Sequence, residues 1–346
     1  NFRTALYSYL LARKNKGDFI LRIEDTDKNR QVSDAIGKII GVLNWAGLEY
    51  DEGVFENSKL QKLNDKRTLK SKSQNYDSLI EIGNYGPYIQ SERLDIYKEY
   101  SNELLKKGKA YHCFCTPKRL EKMREEQLKN KKPPMYDRSC LGLSKNKIEE
   151  KIKNGEPYVI RQKINREGLT EFNDLIRGKV KIKNELLDDQ ILIKSDGYPT
   201  YNFANVIDDH LMEITHVLRG EEYISSTPKY IQLYQNLGWN EPEIAHLPLI
   251  LNSEKNKLSK RKGDVALENY IKDGYLKEAV INFVVLLGWN PGEGETQEIF
   301  SLDELIERFD LSHVHKGGAV FDVKKLDWIN SKWIKKLSVD ELYNRS

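Results

Sequence analysis

Residues 257–264 read KLSKRKGD, and four cations, Lys257, Lys260, Arg261 and Lys262, fall within six positions there. Ser259 and Gly263 interleave them with small, flexible residues, so the segment can close around a polyanion. Such a loop suits a triphosphate, whose charge has to be neutralised while one phosphorus is attacked. A solvated basic loop has the same composition, so its meaning depends on what else the chain assembles around it.

Three further groupings could take part. Glu24, Asp25 and Asp27 follow an alternating apolar run at 18–25, where carboxylates can hold an ammonium group or a metal ion, or simply form a polar turn. Tyr201, Asn205 and Asp208/Asp209 recur at i, i+4 and i+7/i+8, which places them on one face of a helix. A phenol, an amide and carboxylates on one face are costly to bury without partners, so this face reads as a polar binding wall. His210 reads as a cap or a structural hydrogen-bonder. Arg219 ends the run 213–218, well placed to grip a carboxylate with two parallel N–H groups; the plainer alternative is a salt bridge to Glu221 or Glu222.

The cysteines form Cys113-x-Cys115 and, 25 residues later, Cys140. Two thiols at that spacing can reach one metal ion, and structural zinc takes four ligands. No fourth Cys or His stands nearby: His112 would point to the opposite face of a strand, which leaves the unusual phenol Tyr136. The set is either a zinc site of Cys113, Cys115, Tyr136 and Cys140 or a group of free thiols.

The elements that must position these residues follow from periodicity. At 346 residues the chain is expected to hold two or three domains. Hydrophobic content of 39%, charged content of 32% and a formal net charge of +3 describe a wet-surfaced globular chain, and global charge argues neither for nor against nucleic acid. The longest apolar run, 280–287, is far too short to span a bilayer. Three cysteines exclude a disulfide framework and fit a reducing compartment. Helix, strand and helix alternate over the first 50 residues, the pattern of an α/β sheet whose sites gather at strand carboxyl ends. Residues 54–84 are rich in Lys, Asn, Ser and Asp and read as an inserted, largely solvated segment with helical pieces. Helices are expected at 92–107, 117–129, 201–209 and 227–237, and strands at 110–115, 213–218 and 246–251. Several short strands at 155–195 suggest a smaller inserted domain, and beyond Gly263 the pattern is mostly helical.

Taken together, these segments resemble the glutamyl-tRNA synthetases, class I aminoacyl-tRNA synthetases of bacterial type. Residues 19–27 (FILRIEDTD), 85–93 (YGPYIQSER), 194–201 (KSDGYPTY), 205–210 (NVIDDH) and 257–261 (KLSKR) match that family's motifs in order. Residues 1–6 resemble those just after its H-I-G-H-type motif.

The resemblance implies a Rossmann-type parallel sheet, with an inserted α+β connective domain and a mostly helical stem-contact region at the carboxyl-terminal end. It divides the chain into the first half of the catalytic domain (1–86, with the insertion 54–84), an acceptor-end-binding connective domain (87–189), the second catalytic half with the KLSKR loop (190–262) and a stem-contact domain (263–346). It places Glu24 on the α-ammonium of glutamate, Tyr201 and Asn205 in the amino-acid pocket and Arg219 on the side-chain carboxylate. Lys257, Ser259, Lys260 and Arg261 attend ATP, with Lys257 and Lys260 catalytic. The Cys113/Cys115/Tyr136/Cys140 set resembles zinc-binding members.

The expected reaction joins L-glutamate to tRNA-Glu through glutamyl-adenylate, with ATP and Mg2+ and structural Zn2+ as a further expectation. The alternatives are an enzyme that also charges tRNA-Gln, a glutamyl-queuosine tRNA synthetase and a catalytically dead tRNA-binding module. A monomer with no membrane association is expected, in the cytoplasm or, alternatively, the mitochondrial matrix or a plastid. Segments carrying the H-I-G-H-type motif and the anticodon-binding domain are expected outside this sequence.

Overall fold

The computed structural model describes residues 2–27, 35–56, 69–74, 76–258 and 267–345. Helix α1 (Phe2–Lys14) buries Leu6, Tyr7 and Leu10 on one face and ends on Arg13 and Lys14, cations suited to its carboxyl terminus. Strand β1 (Ile20–Leu21) follows. It is shorter than the alternation at 18–25 predicts, because only two residues pair with β2 before the chain turns to bridge Ile23 with Ile89. Helix α2 (Ala35–Ala46) buries Ile40, Leu43 and Ala46.

Strands β2 (Glu52–Glu56), β3 (Leu69–Lys72) and β4 (Leu79–Ile82) complete a sheet of order β1-β2-β4-β3. The described ends of the segment 54–84 therefore correct the expectation of a solvated insertion. Val54, Phe55 and all of β4 are buried, a short apolar pattern that the Lys- and Asn-rich average conceals.

Helix α3 (Leu94–Lys106) precedes β5 (Ala110–Cys113). Helix α4 (Pro117–Lys129) takes the predicted range: Thr116 accepts from the Arg119 N–H and Pro117 occupies the first turn, where a missing N–H costs nothing. Helix α5 (Lys145–Lys153) and strands β6 (Val159–Gln162), β7 (Leu169–Asp174), β8 (Gly178–Lys183) and β9 (Ile191–Ile193) follow. Strands β5, β6 and β9 form one antiparallel sheet.

Helix α6 (Tyr201–Leu211) leads to β10 (His216–Gly220), displaced from the predicted 213–218 because Glu213 adopts φ 53° in the turn that ends the helix. Helix α7 (Thr227–Leu237) stops at Gly238, whose φ of 83° is the left-handed conformation glycine adopts freely. The strand predicted at 246–251 is two strands, β11 (Glu243–Leu247) and β12 (Ile250–Leu251), divided at Pro248. Strands β10, β11 and β7 run parallel and β8 closes antiparallel on β7, giving the order β10-β11-β7-β8. The β7–β8 hairpin thus ties the range 169–183 to the strands that carry Arg219.

The remainder is mostly helical: α8 (Leu267–Lys272), α9 (Lys277–Leu286), α10 (Leu302–Arg308), the short β13 (Ala319–Val320) against β12, α11 (Val323–Ile334) and α12 (Val339–Arg345). Ser301 and Glu304 cap α10 reciprocally. One core joins α1, β10, β11, α9, α10 and α11 through Leu6, Tyr7, Leu218, Ala245, Val284, Trp289, Phe309 and Leu326. A second packs α3, α6 and α7. No helix of the described residues is long and apolar enough to cross a membrane.

Candidate active site

After β1 the chain stays extended, held by Ile23 N–H to Tyr88 O at 2.8 Å and Gln90 N–H to Ile23 O at 2.9 Å. Alternation puts Arg22 and Glu24 on one face. Arg22 Nη2 donates to Glu24 Oε1 at 3.2 Å, and its Nη1 pairs with Asp209 Oδ1 at 2.9 Å. Glu24 is thereby tied through one guanidinium to α6, the helix that carries Tyr201 and Asn205.

Asn205 is buried with no hydrogen-bond partner for its Oδ1, and it lines a small cavity with Asp209, Arg219, Tyr230 and Tyr234. Arg219, also buried, reaches this cavity from β10. Its guanidinium carbon lies 4.5 Å from the Tyr230 ring centroid and 5.6 Å from that of Tyr223. Tyr223 in turn stands 5.6 Å from Tyr201. Burial, then the charge of Glu24, pushes the Tyr201 phenol upward, so it stays protonated and able to donate. Asn205 and Arg219 thus line one cavity, and Tyr201 and Glu24 stand close enough to feel its charges without lining it. The alternative for Arg219 fails: Glu221 pairs with Arg177 and Glu222 with Lys257, and neither pairs with Arg219.

Lys257 follows a tight reversal after β12, fixed by Asn252 N–H to Asn256 O and Leu258 N–H to Ile250 O at 2.8 and 2.9 Å. Its Nζ meets Glu222 Oε1 at 3.2 Å in an exposed pair, the kind of contact a phosphate can displace at little cost. Ser259, Lys260 and Arg261 lie outside the described residues.

Sequence reading missed Arg22, Asp174, Tyr223 and His246. Arg22 carried a signal, a cation between Leu21 and Ile23 in an apolar run. Asp174 and His246 carried none, since they meet only through strand pairing.

The sulfurs of Cys113, Cys115 and Cys140 lie within 4.8 Å of one another. The Tyr136 phenol is 3.2 Å from Cys113 Sγ and 3.4 Å from Cys115 Sγ. His112 faces away and packs on Tyr158 and Phe114, as strand alternation requires.

The family model "tRNA synthetases class I (E and Q), catalytic domain" matches residues 1–328. The chain belongs to this family. Among similar class I synthetases, the glutamate–tRNA ligase of Alkaliphilus metalliredigens is 50% identical over 342 residues, covering 99% of this chain and 65% of the relative. That of Chlorobaculum parvum is 48% identical over 344 residues, covering 98% and 63%. The chain therefore spans just under two thirds of the length of these relatives. A crystal structure of a glutamate tRNA ligase from Elizabethkingia meningosepticum, in complex with its amino acid, superposes with a TM-score of 0.83 at 40% identity, covering 97% of this chain and 67% of that one. The Rossmann-type α/β architecture expected of a class I synthetase is borne out, with β10, β11 and β7 as its parallel strands.

Proposed function

We propose that this chain forms the aminoacylation core of a glutamate–tRNA ligase, which activates L-glutamate with ATP and passes it to tRNA-Glu. One observation carries the reading. Arg219 is a buried cation without an ion-pair partner among the described residues, in a cavity it shares with the unpartnered Asn205 Oδ1. A buried unpaired guanidinium calls for an anionic ligand. Glutamate offers its side-chain carboxylate to Arg219 and its α-ammonium to Glu24, which would exchange its Arg22 contact for the substrate.

In the first step an α-carboxylate oxygen attacks the α-phosphorus of ATP in line, forming glutamyl-adenylate as the bond to pyrophosphate breaks. The 2′-OH of the terminal adenosine of tRNA then attacks the glutamyl carbonyl, and AMP leaves. No protein nucleophile is required; positioning and charge stabilisation carry both steps. Lys257, Ser259, Lys260 and Arg261 are assigned to the ATP phosphates from their sequence motif, with Lys260 given the charge that develops as pyrophosphate departs. Among the described residues no carboxylate cluster forms a cage for magnesium, so that ion would enter on the nucleotide, where it neutralises phosphate charge.

The cysteine cluster fits zinc. Tetrahedral thiolates at about 2.3 Å from the metal stand roughly 3.7 Å apart, close to the 3.5 Å between Cys115 and Cys140. Arg119, at 3.4 Å from Cys115 Sγ, and Arg161, over the Tyr136 ring, suit the negative charge of three thiolates on a divalent ion. Zinc bound there has a structural role, with Tyr136 completing the set. Elemental analysis of the purified protein should give one zinc per chain, and Cys140→Ser should lose it together with thermal stability. A metal-free protein with unchanged melting after chelation would leave the cysteines as free thiols.

We assign 263–346 to the tRNA stem and, within 87–189, the part outside the β7–β8 hairpin to the acceptor end, because β7 pairs with β11 in the sheet that carries Arg219. The decisive experiment is aminoacylation by the complete enzyme, with glutamate and glutamine and with tRNA-Glu and tRNA-Gln. Charging of tRNA-Glu with glutamate is expected, and Arg219→Ala should raise KM for glutamate at least about 30-fold while KM for ATP stays within about threefold. Equal effects on both would remove Arg219 from the pocket.

A further inference from the structure

The parallel register of β10 and β11 sets Arg219 directly beside His246. Arg219 Nε–H donates to His246 Nε2 at 3.2 Å, and Arg219 Nη2 donates to the Thr227 hydroxyl at 2.9 Å. Behind the imidazole stands Asp174, the last residue of β7. Its Oδ2 lies 2.6 Å from His246 Nδ1 and accepts the His246 backbone N–H at 3.0 Å. Its Oδ1 accepts from the backbone N–H groups of Ile176 and Arg177 at 3.0 and 2.8 Å. The side chains of Asp174 and His246 are both 0% exposed.

A carboxylate that only accepts fixes the proton of His246 on Nδ1, leaving a lone pair on Nε2 for the guanidinium. Burial works against the Asp174 charge, but the His246 hydrogen bond and the two turn N–H groups hold its carboxyl below the usual carboxylate range. Burial, reinforced by the nearby Arg219 charge, keeps His246 below its ordinary value despite Asp174, so it stands neutral near pH 7.

The two groups that Arg219 touches by hydrogen bond are therefore both neutral. The nearest carboxylate in line is one imidazole away and spends its lone pairs on four other donors. The acid across the cavity, Asp209, is paired with Arg22. Arg219 is clamped by neutral groups and has no direct ion pair among the described residues, although Asp209 across the cavity feels its charge. Among the described residues its Nη1 has no hydrogen-bond partner, and Nη2 retains a second hydrogen. Two parallel donors suit a carboxylate, whereas a carboxamide would turn its NH2 against one of them.

We propose that Asp174 and His246 are positioning residues that hold Arg219 free of a direct ion pair, and that this neutral clamp sets the preference of the pocket for a carboxylate over a carboxamide. The inference rests on the reading that Arg219 receives the glutamate side chain.

The test is steady-state aminoacylation by the complete enzyme, with thermal melting of each variant as a fold check. His246→Leu removes the acceptor and should raise KM for glutamate about 10-fold or more, with KM for ATP and kcat within about threefold. His246→Gln supplies an amide oxygen in place of Nε2 and should restore KM to within about threefold of the parent. Thr227→Asp places a carboxylate on Nη2 from the first turn of α7 and should cut the preference for glutamate over glutamine about 10-fold or more.

Arg219→Ala is the control. If it raises KM for glutamate while His246→Leu and Thr227→Asp change neither KM nor preference, the clamp is overturned and the pocket assignment stands. If Arg219→Ala itself spares glutamate, both fall. Should His246→Leu fail to fold, Thr227→Asp decides: an unchanged preference rejects the proposal.

Discussion

Replacing Lys260 with alanine in the complete enzyme should lower the rate of glutamyl-adenylate formation roughly 10²–10³-fold, the loss typical when one preorganised charge opposite a developing negative charge is removed. The effect should fall on the chemical step, measured as single-turnover consumption of ATP, with little change in KM for glutamate. A loss below about threefold would take the loop out of the mechanism. The reversal at 252–258 is closed by three backbone hydrogen bonds and by the Asn256 N–H to Asn252 Oδ1 at 2.8 Å. Lys257, two residues earlier in the KLSK run than Ser259, pairs with Glu222 at 3.2 Å. Lys257→Ala should cost less, because the contact it makes is exposed.

The second large effect concerns stability. Asp208 is completely buried and accepts three side-chain hydrogen bonds, from Arg93 Nε at 2.7 Å, Tyr97 OH at 2.8 Å and Gln90 Nε2 at 2.9 Å. Asp208→Ala would leave the Arg93 guanidinium, 2% exposed, without its charge partner, a change that costs about 3–5 kcal/mol. Tyr97→Phe should cost only about 1 kcal/mol, since one neutral donor is lost and the charge pair survives. Denaturant unfolding of the two variants would compare them directly. A cost for Asp208→Ala no larger than for Tyr97→Phe would mean that the Arg93–Asp208 pair contributes little here.

Asp208 also shows how far sequence reasoning reaches. The i, i+4, i+7/i+8 spacing of Tyr201, Asn205, Asp208 and Asp209 correctly placed a polar helix face, and local signals gave α4 and α7 their ends. That face serves two purposes, however. Asn205 and Asp209 line the cavity, with Asp209 also paired to Arg22, while Asp208 is taken up by Arg93 as a structural partner. The distinction depends on residues more than a hundred positions away, which no local window contains. The clamp behind Arg219 was invisible for the same reason. Asp174 and His246 lie 72 residues apart and meet through the β7–β11 and β10–β11 ladders. By contrast, β4 went unread because four buried residues were averaged with a Lys- and Asn-rich neighbourhood.

The packing of α1 has a consequence for biosynthesis. Arg3 donates to Leu287 O across a separation of 284 residues, and Tyr7 to Val285 O across 278. Tyr7 and Phe309 meet edge to face at 5.0 Å between ring centroids. At a ribosomal rate of about 5–20 residues per second, these partners follow α1 by roughly 15–60 s. Throughout that interval the Leu6/Tyr7/Leu10 face has none of its α9 and α10 neighbours, a window in which holdase chaperones can engage it. Closing so long a loop also raises contact order and slows folding. The helix leaves the exit tunnel well before α9 and α10, and its burial must wait for a segment translated 278–284 residues later.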